Sequence, residues 1–314
     1  MTDAAEKGRI VQQMLVDPAL PAAVIDQLFD KAIAAPYWAA FESNAPLPPE
    51  SPLSDDEVEH AIEHWKREGY FATRRVIDPA KCEALRGVLE RVLADGWPVV
   101  FAFAVESVWA ATQSPSLVRV LEGVLGPGYR QRHQIFAHWI SPVAGAAGWA
   151  PHVDGAGKTD RVSAWLPLSD ATPENGCMML IPKSRMPTDL IGMGYHARKS
   201  FTAGETLRLL HAARAMPATA GSLLGWDHDV LHWGSHCDGG GRPRVALALE
   251  FESASWSGTR DEPLFDPLVV PPFPDRLRAI AKAVLTYSGF VPMLRRYRDL
   301  AERLLDIDPP PSEV

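Results

Sequence analysis

Hydrophobic positions along this chain change their period in the middle. Val58, Ile62 and Trp65 recur at helical spacing, Ser54-Asp55-Asp56-Glu57 has the form of a capping box, and Gly69 ends the run, so a helix is predicted over residues 55–68. Tyr70 to Ile77 reads as a strand. Asp78-Pro79 then supplies an N-cap and an N1 proline to a helix carrying Cys82, Leu85, Val88, Leu89 and Val92, and a shorter helix is predicted over Ser116 to Val124. Beyond residue 130 the apolar runs shorten to strand length between turn signals: Gln134 to Ile140, Val162 to Leu168, Met178 to Ile181, Ser222 to Trp226 and Val245 to Phe251.

Both ends of the chain read as helical. Val24, Leu28, Ile33 and Trp38 form an apolar series ahead of a linker punctuated by Pro46, Pro48, Pro49 and Pro52. Leu277, Ile280, Ala281, Val284 and Leu285 share one helical face, and a second amphipathic segment follows around Leu294 to Leu305. The expected fold is a mainly β core with flanking helices, a double-stranded β-helix of jelly-roll or cupin-like form rather than a series of βαβ units. The expected division is a helical extension and linker (residues 1–53), a β-helix domain (54–262) and a C-terminal helical extension packed on the core (263–314).

Composition narrows the function. The formal net charge of −8, with acidic residues spread along the chain, argues against a nucleic-acid partner, which calls for clustered Lys and Arg. The three cysteines, Cys82, Cys177 and Cys237, are too scattered for a disulfide framework or a thiolate metal site. Neither a signal-like N-terminus nor a run of membrane-spanning length is present. A soluble cytoplasmic protein acting on a small molecule is expected, as a monomer or as a homodimer through its C-terminal helices.

The candidate chemistry sits in His152-Val153-Asp154. Residues i and i+2 of a strand project from one face, so His152 and Asp154 can reach one ion, although a His-x-Asp triplet alone also fits a loop histidine beside a turn. Downstream, Gly221 to Leu231 reads as a strand and a polar turn leading into His232, which would bring that histidine back to the His152 strand. His228 and His236 compete for the role, but His228 falls in the polar Asp227-His228-Asp229 turn, which favours His232. Two imidazoles and a carboxylate suit Fe(II) with positions left for a co-substrate and O₂.

Together with Val162-Ser163-Ala164-Trp165-Leu166-Pro167-Leu168-Ser169-Asp170-Ala171-Thr172-Pro173-Glu174-Asn175-Gly176, Ile181-Pro182-Lys183-Ser184-Arg185, Leu231-His232 and Arg244-Val245-Ala246-Leu247, this triplet is similar to the phytanoyl-CoA dioxygenase family. The matching order covers residues from about 130 to 252, and Glu68-Gly69-Tyr70 and the Asp78-Pro79 helix also resemble the family's N-terminal part. The resemblance implies a double-stranded β-helix, Fe(II), 2-oxoglutarate and hydroxylation or a related oxidation. It implies His152, Asp154 and His232 as metal ligands, Arg244 as partner of the distal carboxylate of 2-oxoglutarate, and Trp165 near that co-substrate. Relatives that halogenate lack the carboxylate that Asp154 supplies here. The chain departs from the family pattern at Lys183 and Arg185, at Gly234 with Ser235 one position further, and near Ser141, where the family often has a lysine.

Arginine suits such a pocket because its planar fork binds a carboxylate bidentately and keeps its charge. Arg244 opens an apolar strand, whereas Arg242 precedes a proline in a Gly-rich turn, so Arg244 is the expected partner. Gln134 and Ser235 are further candidates for co-substrate contact. Phe103 and Trp109, beside Phe101, are candidates for an apolar substrate wall, and Arg132 for a polar substrate contact. A cupin-type metal enzyme without 2-oxoglutarate, and a noncatalytic binding protein of the same fold, are the competing readings. Nothing in the sequence specifically recognises coenzyme A; a small-molecule oxidation in specialised metabolism fits better.

Overall fold

The computed structural model describes residues 19–43, 50, 52–155, 160–187, 201–255 and 264–307. Its centre is a five-stranded antiparallel sheet in the order β1-β6-β3-β8-β2 and a three-stranded antiparallel sheet in the order β5-β4-β7. The strands are β1 (Tyr70–Arg75), β2 (Arg130–Ile140), β3 (Arg161–Pro167), β4 (Met178–Leu180), β5 (Arg214–Met216), β6 (Ser222–Asp227), β7 (His232–Gly234) and β8 (Arg244–Glu252).

Alternation along the strands decides which face does what. On β8, Val245, Leu247, Leu249 and Phe251 join the large hydrophobic core, while Arg244, Ala246, Ala248, Glu250 and Glu252 lie on the other face. On β3, Val162, Ala164 and Leu166 enter that core, while Trp165 joins a smaller cluster with Leu224, Trp226, Ala246, Met178 and Leu180. The long sheet therefore has a helix-covered outer face and an inner face turned toward the short sheet.

The outer face is covered from both ends of the chain. Ile25, Ala32 and Trp38 near the start and Leu277, Ile280, Val284, Leu300 and Leu304 near the end belong to the same core, and Arg303 Nη1 lies 2.7 Å from Asp26 Oδ1 across the two termini. The apolar series near the start is two helices, Ala22–Ala32 and Ala35–Ala39, with Pro36 in the first turn of the second. Val24 and Ile33 are consequently exposed, and Ile25 and Ala32 take the buried face instead. The linker prolines Pro46, Pro48 and Pro49 lie outside the described residues.

Helix Asp55–Glu68 has the predicted capping box. The Glu57 amide donates to Ser54 Oγ at 3.3 Å, the Ser54 amide donates to Glu57 Oε2 at 2.7 Å, and Gly69 turns the chain at φ 73°. Asp78 Oδ1 accepts from the Ala80 amide at 2.8 Å to start helix Pro79–Ala94, and a third helix spans Pro115–Leu125. β1 ends at Arg75 because the Val76 and Ile77 amides both turn to the Gly221 carbonyl, at 2.7 and 3.1 Å. The last segment divides into a 3₁₀ turn, Pro292–Tyr297, and a helix, Arg298–Leu305, beyond the long helix Phe273–Tyr287. Helix Ala203–Ala212, which starts at a capping box of Thr202 and Glu205, was not anticipated from the sequence. No helix among the described residues is long and apolar enough to cross a membrane.

Candidate metal centre and pocket

Chain geometry brings the three candidate ligands together. His152 stands in an isolated bridge with His232, the first residue of β7, rather than in a longer strand, and each backbone amide donates to the other's carbonyl at 3.0 Å. Asp154, two residues on, turns to the same side. One ligand atom from each of His152, Asp154 and His232 lies within 4.8 Å of the others, and no other such group of three occurs among the described residues.

Each ligand is held by a second contact. His152 Nδ1 lies 2.8 Å from the Ala150 carbonyl and His232 Nδ1 lies 2.9 Å from the Val230 carbonyl. A carbonyl only accepts, so Nδ1 carries the proton in both rings and the Nε2 lone pairs are directed at Asp154. The Nε2 atoms stand 3.4 and 3.7 Å from Asp154 Oδ1, and His152 Nε2 is buried without a hydrogen bond. Asp154 Oδ2 accepts from Ser163 Oγ at 2.5 Å and Trp226 Nε1 at 3.0 Å. Neither partner was singled out from the sequence. They are neighbours in β3 and β6, paired in register, and that adjacency exists only in the sheet.

Electrostatics keeps Asp154 and His232 in ligating form. Burial opposes the Asp154 charge, but His232, His152 and His228 outweigh it and hold the carboxyl far below its ordinary range. Burial pushes His232 down to about 4, so its imidazole is neutral. Burial also acts to lower His152, but the Asp154 carboxylate beside it prevails and raises its pKa.

Beyond the cluster lies a buried cation. Arg244 is 1% exposed, and no carboxylate among the described residues pairs with it; Nη1 approaches Met178 Sδ at 4.0 Å, and Nε is buried without a hydrogen bond. Burial pushes this guanidinium down to about 10. Its Cζ lies 5.5 Å from the centre of the Trp165 ring, and Trp165 Nε1 is another buried donor without a partner. A Cβ built on Gly148 or Gly234 would stand 2.9 or 3.2 Å from Arg244 Nη2, so the departure at Gly234 is where the backbone closes on this side chain. Arg242, by contrast, is exposed.

The remaining candidates are dispersed. Ser235 is half-buried and its amide donates to the Cys177 carbonyl. Gln134 Oε1 accepts from Arg132 Nε at 2.9 Å, far along β2 from Ile140, the residue opposite Arg244; the structure does not bring Gln134 to Arg244. Arg132 pairs with Glu252 at 2.5 Å. Phe103 and Trp109 sit in the large core, where the Trp109 indole donates to the Phe103 carbonyl, and not beside the cluster. His228 is in a turn as expected, but its side chain is buried, with Nε2 3.7 Å from Glu250 Oε2. Lys183 reaches Asp227 at 2.5 Å and Ser184 Oγ donates to Glu68 at 2.5 Å, so this divergent segment ties the end of β4 to β6 and helix Asp55–Glu68.

Sequence reasoning also missed His138 on β2. It shares the inner face with Phe136, meets Trp149 edge to face at 5.7 Å, and is pushed down to about 3 by burial and then by Arg244, His152 and His232.

Two antiparallel sheets and a two-histidine, one-carboxylate cluster that could hold a metal ion define a β-fold protein with a candidate metal site. Residues 104–245 match the family described as Phytanoyl-CoA dioxygenase (PhyH), and over that span the chain is PhyH-like. No curated protein matches the sequence. Among solved structures, a non-heme monooxygenase, ThoJ in a nickel complex, aligns with TM-score 0.53 and 17% identity over 78% of this chain and 99% of its own. The epimerase SnoN, in complex with Fe³⁺, alpha ketoglutarate and nogalamycin RO, aligns with TM-score 0.51 and 17% identity over 69% of this chain and 97% of its own. EctD from S. alaskensis in its apoform aligns with TM-score 0.50 and 18% identity over 74% and 89%. At these identities the likeness is one of fold.

Proposed function

We propose that this protein is a non-haem Fe(II)- and 2-oxoglutarate-dependent oxygenase that hydroxylates, desaturates or epoxidises a small molecule in specialised metabolism. On this reading the two sheets are the halves of a double-stranded β-helix, residues 54–262 form the oxygenase domain, and the segments before and after it are helical extensions.

The observation that carries the proposal is Arg244, a buried cation without a carboxylate, next to the unpartnered Trp165 indole N–H and on the same sheet face as the metal-ligand cluster. A charge taken out of water costs several kcal/mol unless it is paired, so the pocket is built for an anion that arrives from outside. The donor set fits the groups: neutral Nε2 atoms and a carboxylate suit Fe(II), and a guanidinium with an adjacent N–H suits the distal carboxylate of 2-oxoglutarate. When bound, the iron and 2-oxoglutarate supply the O₂-dependent oxidation, with succinate and CO₂ as co-products.

The chain's own residues contribute position and charge. Ala150 and Val230 fix the imidazole tautomers and Ser163 and Trp226 orient Asp154, and Arg244, beside Trp165, would hold the co-substrate's distal carboxylate. A cupin-type enzyme without 2-oxoglutarate would leave Arg244 unexplained. Adding 2-oxoglutarate anaerobically to the Fe(II) protein should produce a visible charge-transfer band; absence of that band and of succinate formation would refute the proposal.

A further inference from the structure

The inner face of the long sheet is built differently at the end away from Arg244. There β8 presents Glu250 and Glu252, and Glu250 lies opposite Ser163, the residue whose hydroxyl holds Asp154. Glu252 is fully buried between Arg132 at 2.5 Å and Arg161 at 3.4 Å. Glu250 is 18% exposed, with Arg132 Nε at 3.5 Å and His228 Nε2 at 3.7 Å. Two guanidinium charges are thus matched by two carboxylates beside the metal-ligand cluster.

An aromatic group stands beside the same metal-ligand cluster. Tyr287, the last residue of helix Phe273–Tyr287, packs on Phe136 at 4.9 Å and Trp149 at 5.0 Å, and the Trp149 ring lies 5.5 Å from that of His152. Burial raises the pKa of the Tyr287 hydroxyl, and the charges of Glu250 and Asp154 act in the same direction while Arg132 opposes them.

We propose that this end of the pocket is the substrate subsite and that it takes an uncharged, hydroxyl-bearing ring, stacked against Trp149 and Tyr287 and hydrogen-bonded to Glu250. The assignment rests on the oxygenase reading for what happens to the ring, but its recognition chemistry stands on the lining alone. An anionic group would bring like charge to Glu250 while Arg132 and Arg161 are committed to Glu252. A cationic group would compete with Arg132 for Glu250. A hydroxyl donates to the carboxylate without adding charge, and a ring face buries the aromatic surface. A polyphosphate carrier such as an acyl-coenzyme A finds no uncommitted cation among these residues.

The test uses phenyl β-glucoside and phenyl β-glucuronide, which differ by one carboxylate, titrated calorimetrically into the anaerobic protein with and without Fe(II) and 2-oxoglutarate. The expected result is glucoside binding at least about tenfold tighter than glucuronide binding. Glu250→Gln should erase that preference, and Tyr287→Phe should weaken the glucoside while leaving the charge-transfer band in place. Equal or tighter binding of the glucuronide, no binding of either probe to the wild type, or a preference that survives Glu250→Gln would overturn the proposal. The band reports separately: its absence with the preference intact overturns only the oxygenase reading, and its presence with the preference absent overturns only the subsite.

Discussion

The backbones of His152 and His232 are hydrogen-bonded to each other in both directions, at 3.0 Å each, and their rings lie 4.3 Å apart. The cluster is therefore fixed by main chain as well as by side chains, and ligand substitutions should spare the fold. Asp154→Ala and His232→Ala should abolish Fe(II) binding in an anaerobic titration while the circular dichroism spectrum stays unchanged. Ser163→Ala, which removes one of the two donors orienting Asp154, should weaken metal affinity by about 10- to 100-fold.

Arg244 carries the sharpest trade between stability and binding. Without a carboxylate partner its burial is unfavourable, so Arg244→Met should raise the stability of the ligand-free protein by about 1–4 kcal/mol. The same change should reduce 2-oxoglutarate affinity by at least about a hundredfold. Exposed Arg242→Ala should do neither. Thermal melts and 2-oxoglutarate titrations check all three, and equal effects at Arg242 and Arg244 would sink the assignment.

Gly148 and Gly234 make the floor beneath that guanidinium. A Cβ at position 234 would stand 2.6 Å from the Gly148 Cα, a backbone atom that cannot rotate away. Gly234→Ser should therefore cost about 1–3 kcal/mol and raise the 2-oxoglutarate requirement, although serine is the kind of residue the family pattern leads one to expect here. Unchanged melting and unchanged co-substrate affinity would show that the backbone yields.

Acid should destabilise the metal-free protein through its buried histidines. Burial holds His133 and His232 at about 4 and His138 at about 3 in the fold. Their unfolded values lie near ~6.5, so the native state binds fewer protons below that pH. Stability from these groups is complete above pH ~6.5 and is lost as the pH falls toward the folded values. Melting temperature followed downward from neutral pH should fall, and His133→Gln should flatten the fall without touching the metal cluster.

Much of the fold was legible from local pattern. Ser54, Glu57 and Gly69 fix one helix in a few residues, and Asp78-Pro79 starts another, because caps are short-range chemistry. The strand runs containing Trp165, Trp226 and Leu247 were legible from apolar length and turn signals. Less visible was the facing of residues in weakly patterned segments. The apolar series Val24 to Trp38 gave helix but not the break at Ile33, which exchanges the buried face, and Phe103 and Trp109 carried no mark separating core from pocket.

The sequence by itself determined the order of elements, the two-residue spacing of His152 and Asp154, the candidacy of His232 and Arg244 as downstream partners of that motif, and the PhyH-like character of the span that holds them. Only the tertiary structure decided which groups stand next to them. Ser163 and Trp226 meet Asp154, Gly148 and Gly234 close around Arg244, and Glu250 comes to lie opposite Ser163 because β-pairing joins segments distant in the chain and strand alternation turns their side chains to a common face. Spacing along a chain encodes neighbours on one element; contacts across sheets depend on register and packing, which the sequence specifies only collectively.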